Sequence, residues 1–192
     1  LELGATIYGA VPGVFVHADG YKKSISAPGP GNYLTMGRAV GLAQSLLGAD
    51  AVRKRSFVQA HGSSTPQNRV TESRIFDKVA EHFGINHWPV GAVKSYVGHS
   101  LGPASGDQMA NTLGVFAHGI LPGIKTIDGI AEDVIAERLS FSTQDTPLND
   151  GAEVAFLNSK GFGGNNATAV LLSPFQTMAM LSKRYDEATM SS

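Results

Sequence analysis

The sequence predicts an α/β layered domain built on a mixed sheet. Three observations carry this. Strand-like and helix-like segments alternate along the chain. The 23 glycines cluster at the ends of apolar runs, as tight strand–helix connections require. The last two strand-like segments are joined by a glycine-rich turn, Gly161–Gly164, which makes a terminal hairpin. A length of 192 residues suits one such domain. Residues 1–174 are assigned to it. Residues 175–192 are polar with scattered methionines and read as a tail, either a terminal helix or disordered.

Each element has its own signal. Ala5 to Val16 is β-rich, and Pro12-Gly13 interrupts it with a bend or bulge. Ser26 to Gly31 is a Pro/Gly loop, and Asn32 can cap a helix running to about Leu47, with Leu34, Val40 and Leu47 among its apolar positions. Ser56 to Ala60 is a short strand that ends at His61. Asn68 to Phe83 is a helix: Ile75, Val79 and Phe83 repeat at helical spacing and Gly84 stops it. Pro89 to Val93 is a buried strand ending at Lys94. A helix follows from near Pro103, a residue tolerated in a first turn. Strands near Leu139–Ser142, Glu153–Asn158 and Ala167–Leu172 complete the set.

The helix after Pro103 has an unusual face. Gly102, Gly106, Ala110 and Gly114 recur every four residues and leave a ridge almost without side chains, while Met109, Leu113 and Phe116 form a separate apolar face. Because glycine lowers helix stability by about 1 kcal/mol relative to alanine, this ridge predicts close packing of another backbone.

Composition excludes several classes. A formal net charge of −1 gives no global attraction to nucleic acid or an anionic membrane. No apolar run is long enough to span a bilayer, and the first residues lack the pattern of a signal peptide, so a cytoplasmic location is expected. Cysteine is absent, which excludes disulfides, thiolate metal sites and a cysteine nucleophile within this chain. Among the six histidines no pair at short zinc-type spacing has a third ligand nearby. The chain opens without methionine almost directly on a strand, and is read as an excised fragment.

Three segments carry chemistry, and each ends a strand and opens into a small-residue loop. Val58–Pro66 (VQAHGSSTP) sets a histidine beside three hydroxyls. Val93–Gly106 (VKSYVGHSLGPASG) holds Lys94 and His99 five residues apart, so that a loop can turn both into one cavity. Asn158–Ala167 (NSKGFGGNNA) has glycines that can present backbone N–H groups to a ligand. His17, His82, His87 and His118 have no such context and read as structural.

In order and spacing these segments resemble the β-ketoacyl synthases of fatty acid and polyketide assembly. That family shows a HGTxTP segment, then a lysine five residues before the histidine of a GH pair, then NSFGFGGTNA. This chain shows HGSSTP at His61–Pro66, Lys94 with Gly98-His99, and NSKGFGGNNA at Asn158–Ala167. The resemblance covers about residues 3–174. It implies a thiolase-like fold, of which this chain is one half: a mixed five-stranded sheet with helices on its faces, from a parent of five αβαβα layers. The nucleophilic cysteine belongs to the other half.

Roles follow by resemblance. His61 and His99 match the catalytic histidines that stabilise the enolate formed when malonyl thioester loses carbon dioxide; whether one also acts as a base stays open. Lys94 matches the catalytic lysine of that network. Phe162 matches the acyl gate whose backbone N–H joins the oxyanion hole. Ser63 and Thr65 match the phosphopantetheine-binding hydroxyls. No cofactor is bound by the enzyme itself, because substrates ride on the phosphopantetheine of acyl carrier protein or CoA. The implied partners are acyl carrier protein, the N-terminal half of the same enzyme and a second copy in a homodimer, with neither nucleic acid nor membrane.

The chain departs from the family at four places. Lys160 stands where phenylalanine is usual, Asn68-Arg69 where Gly-Asp is common, and Gln59 where Glu or Asn is usual. Gln108 stands where elongating enzymes carry a glutamate partner for the lysine, with Asp107 as an adjacent substitute. These point to a divergent bacterial member. The expected function is the C-terminal catalytic half of an acyltransferase that condenses malonyl-ACP with an acyl thioester, inactive as a lone fragment. The alternative is a non-catalytic partner subunit of the chain-length-factor type, against which the two retained histidines argue. A thiolase is a weaker reading, since its C-terminal half uses a cysteine.

Overall fold

The computed structural model describes residues 5–20 and 29–185. The chain runs β1 (Ala10–Ala18), α1 (Pro30–Leu47), α2 (Ala49–Lys54), β2 (Ser56–Gln59), α3 (Pro66–Phe83), β3 (Trp88–Gly91), α4 (Lys94–Val97), α5 (Ala104–His118), β4 (Ile120–Leu121), β5 (Leu139–Ser140), β6 (Thr146–Pro147), β7 (Val154–Gly161), β8 (Asn165–Leu172) and α6 (Pro174–Arg184). The main sheet has the order β1-β8-β7-β2-β3-β5. Five of these strands have four or more residues, and the two-residue β5 extends the β3 edge. The sheet is mixed: β2 lies parallel to β3 and β7, while β7–β8 and β8–β1 are antiparallel. This is the thiolase-like α/β arrangement that the sequence predicted.

Side-chain alternation along the central strands builds a core on each face of the sheet. Val58, Val154, Phe156, Val170 and Leu172 point to one side, where Met36, Val40, Ile75, Phe76 and Trp88 pack. Their neighbours Phe57, Ala155, Leu157 and Leu171 point to the other, against Val115, Leu121, Met109, Leu113 and Phe116. This is the period of two that a sheet covered on both faces requires. Fully burying a side chain such as Phe57 or Phe156 contributes about 1.5–3 kcal/mol.

Local chemistry sets the boundaries that matter for the site. Helix α3 starts two residues before the predicted Asn68, because Thr65 caps it by accepting from Asn68 N and Pro66 occupies the first turn. It ends at Gly84, whose φ of 68° is the left-handed stop. Helix α1 starts at Pro30, not at an Asn32 cap; Asn32 lies in the first turn and is buried. Leu34 in that helix is exposed. Strand β1 starts at Ala10, and its register against β8 shifts between Ala10 and Gly13, at the predicted Pro12-Gly13 interruption. Residues 26–28 of the predicted Pro/Gly loop lie outside the described residues. Strand β3 ends at Gly91, so Lys94 opens the short helix α4 and does not end a strand.

Among the described residues, the glycine ridge of α5 does not contact another backbone. A Cβ added at Gly102, Gly106 or Gly114 would meet nothing within 4 Å. The opposite face of the helix, Ala104, Gln108, Thr112 and Val115, is the buried one. Helix α6 is capped by Ser173 and packs Met180 against the core; residues 186–192 of the predicted tail lie outside the described residues. Among the described residues, no helix is long and apolar enough to cross a membrane.

Candidate active site

The site lies where β2 and β7, parallel neighbours, reach their C-terminal ends beside the loop between α4 and α5. His61 follows β2 by one residue, and His99 follows Gly98, whose φ of 73° turns the chain out of α4. The two imidazoles meet edge to face, with ring centroids 5.1 Å apart, and both line one cleft with Ser105, Ser159 and Lys160.

Backbone donors fix both rings. Lys160 N–H donates to His61 Nδ1 at 3.2 Å, and Leu101 N–H donates to His99 Nδ1 at 3.1 Å. Leu101 has a φ of 64°, a left-handed conformation unusual for leucine, which bends its N–H back to the ring two residues earlier. With Nδ1 accepting, a neutral imidazole carries its proton on Nε2. Each ring therefore offers a donor from Nε2. Burial first of all pushes the His61 pKa down to about 4; Glu72 opposes this, and the neighbouring Lys94, His99 and Lys160 reinforce it.

Beneath the histidines lies a buried polar network centred on Glu72. Its carboxylate accepts from His61 N (2.7 Å), Gly62 N (3.0 Å), Asn68 Nδ2 (3.1 Å) and Asn158 Nδ2 (2.7 Å). Asn32 and Asn158 exchange side-chain hydrogen bonds, Thr168 donates to Asn158, and Thr168 joins Thr35. Gln108, fully buried on α5, adds a second clamp: its Nε2 donates to Ala60 O (2.8 Å), Asn158 O (2.9 Å) and Gln59 O (3.3 Å).

Lys94 is 8% exposed, and its Nζ has no hydrogen-bond partner among the described residues. Burial lowers its pKa, while Glu72 and Asp107 pull it back up. Asp107 is not the lysine's direct partner; it accepts the Ser100 hydroxyl. Lys94 and His99 share with Ser63 and Thr65 the wall of a second cavity of about 670 Å³. Its far wall is apolar, with Phe76, Val90, Ile127, Val134 and Phe141. The loop closing that side is fastened to α3 by Arg69–Asp133, by Ile135 N on Ser73 and by Arg138 on Asp77.

The structure thus brings His61, His99, Lys94, Ser63 and Thr65 together. Phe162 is placed differently. It sits on the β7–β8 turn next to Gly161, a wall of the histidine cleft, but the residue is 83% exposed and lines neither cavity. Sequence reasoning missed Glu72, a carboxylate eleven residues after His61. The available signal was a run of buried-side positions on α3 that includes Asn68, Glu72 and Ser73. It also took Asn32 for a cap, when its side chain belongs to the Glu72 network. His82 and His118 occupy the last turns of α3 and α5, away from the cleft.

Known proteins settle the lineage. The family model for the β-ketoacyl synthase C-terminal domain matches residues 8–128. The chain belongs to the β-ketoacyl synthase family. It is 62% identical over 188 residues to the β-ketoacyl-[acyl-carrier-protein] synthase FabY of Pseudomonas aeruginosa, covering 98% of this chain and 30% of that protein. It is 33% identical over 179 residues to 3-oxoacyl-[acyl-carrier-protein] synthase 2 of a Synechocystis species, covering 88% of this chain and 38% of that one. The crystal structure of the noncanonical ketosynthase FabY from P. aeruginosa superposes with a TM-score of 0.95 at 60% identity, over 99% of this chain and 30% of that one. This β-ketoacyl synthase chain therefore spans about a third of the length of the relatives it matches. Their likeness agrees with the divergent bacterial member that Lys160 and Gln108 suggested.

Proposed function

We propose that this chain supplies the C-terminal catalytic half of a β-ketoacyl-ACP synthase that condenses malonyl-ACP with an acyl thioester by decarboxylative Claisen chemistry. One observation carries the reading: both histidines accept a backbone N–H at Nδ1, so two Nε2–H donors serve a single cleft. When the malonyl carbon–carboxylate bond breaks, carbon dioxide departs and its electron pair develops negative charge on the thioester oxygen. Two fixed donors at that oxygen stabilise the enolate without reorganising during the reaction. The enolate carbon then attacks an acyl thioester. The acyl group is held on a cysteine outside these 192 residues, which contain none.

The other roles follow from position. Lys94 brings a buried, unpartnered ammonium to the same cavity as His99 and supports the charge that develops there. Ser63 and Thr65 line the approach and bind the phosphopantetheine arm of acyl carrier protein. Phe162 gates the acyl pocket, and its N–H joins the oxyanion hole of the acyl-cysteine. The partners are acyl carrier protein, the N-terminal half and a second copy; the reaction runs in the cytoplasm and uses no cofactor bound by the enzyme itself. The test is malonyl-ACP decarboxylation and condensation by the whole protein. His61→Ala and His99→Ala should both lose decarboxylation. Undiminished release of carbon dioxide by either variant would refute the reading.

A further inference from the structure

Lys160 is linked to His61 by two routes, one direct and one through a chain of side chains. Its main-chain N–H holds Nδ1 at 3.2 Å. Its side chain runs the other way: Nζ donates to Asn32 Oδ1 at 3.1 Å and to Asn166 Oδ1 at 3.2 Å. Asn32 donates to Asn158 Oδ1 at 2.7 Å, and Asn158 donates to Glu72 Oε1 at 2.7 Å. The Glu72 carboxylate closes the circuit by accepting the His61 backbone N–H.

The charge balance gives this circuit a purpose. Glu72 is 4% exposed, and all four of its hydrogen-bond donors are neutral. A buried carboxylate whose charge is not fully offset draws a proton onto the nearest base, here His61; Lys94 also faces Glu72 from α4 and offsets part of that charge, without a hydrogen-bonded path to it among the described residues. The charged and titratable groups facing His61 are Glu72 from α3, Lys94 from α4, His99 from the following loop and Lys160 from β7. Lys160 itself faces Glu72 and Asp19; Asp19 already accepts Gly31 N at 2.7 Å.

We propose that Lys160 is a positioning residue for His61: its ammonium offsets the Glu72 charge through Asn32 and Asn158 and keeps the imidazole a neutral Nε2–H donor. The inference deepens the proposed condensation and rests on it only for the catalytic consequence. An imidazolium at His61 would lose the acceptor that Lys160 N–H needs, and the ring would turn.

The experiment follows the His61 ring nitrogens by ¹⁵N NMR across pH in the whole protein, for wild type and for Lys160→Met, Lys160→Gln and Lys160→Arg. Glutamine retains a donor for Asn32 and Asn166 without the charge, and arginine retains both. The wild-type ring should stay neutral, with its proton on Nε2, down to about pH 4. In the Met and Gln variants its proton affinity should rise about threefold to tenfold, and arginine should restore it. Wild-type titration in the Gln variant, or an equal shift in the Arg variant, would overturn the proposal. If the Met variant fails to fold, the Gln–Arg pair decides alone. Because the titration needs no turnover, it separates failure of this inference from failure of the proposed reaction.

Discussion

Gln108 Nε2 lies 2.8 Å from the carbonyl of Ala60 and 2.9 Å from that of Asn158, so one side-chain amide ties the end of β2 to the middle of β7. A carboxylate at this position would face carbonyl oxygens with no proton to give. Gln108→Glu should therefore destabilise the fold, more at pH 8 than at pH 5, where a protonated acid regains a donor. Gln108→Met leaves the carbonyls without their partner and should cost about 1–3 kcal/mol at either pH. Urea unfolding at both pH values checks this; a Glu variant as stable as wild type at pH 8 would contradict it.

His99→Ala in the whole protein should reduce malonyl decarboxylation by about a hundredfold to a thousandfold, as expected for loss of one oxyanion donor. Acyl transfer to the cysteine should largely survive. The two half-reactions, followed separately with radiolabelled acyl and malonyl groups, provide the measurement.

The pH dependence of stability has a definite sign. His61 has a folded pKa lowered to about 4 from an ordinary value of 6.5. Between these values the unfolded chain binds more protons. The contribution is complete above about pH 6.5 and is lost as pH falls toward 4. Thermal unfolding across this window should show stability declining with acidification, and His61→Asn should flatten the decline.

The exposed ridge predicts two opposite effects. In this chain alone Gly106→Ala meets nothing among the described residues and should stabilise α5 by about 1 kcal/mol. In the whole protein, where the ridge is expected to meet the other half, Gly106→Leu should reduce solubility or activity. The lone chain should also self-associate, because Val14, Val16, Leu101 and Phe162 add exposed apolar surface. Sedimentation velocity over a concentration series tests this; a monomer at every concentration would contradict it.

Much of this architecture was legible in the sequence because it obeys local rules. Ile75, Val79 and Gly84 mark the face and stop of α3, and His61 sits just past an apolar strand, whereas Asn158–Gly161 and Asn165–Ala167 of the third motif belong to β7 and β8 themselves. What was not legible depends on contacts far apart in the chain. Glu72 looks like one polar helix residue among many until β2 and β7 are laid beside it. Asn32 has the type of a cap, but Pro30 starts the helix earlier, and Asn158, 126 positions away, claims the side chain. The exposure of Phe162 depends on the β7–β8 turn, which motif matching does not specify.

The donors that set both histidine tautomers belong to peptide groups, not to side chains. Point substitution at Lys160 or Leu101 alters the side chain but leaves an N–H in place, unless the newcomer is proline or cannot hold the backbone angle. The proton's address is thus written in the spacing of the chain. One inserted residue in β7 before Lys160 would shift the pairing of Lys160 with Asn166 and swap the faces of the strand. Such a protein could retain every motif residue and still have lost the orientation of His61. At this position a change of residue spares the N–H that holds Nδ1, and a change of chain length does not.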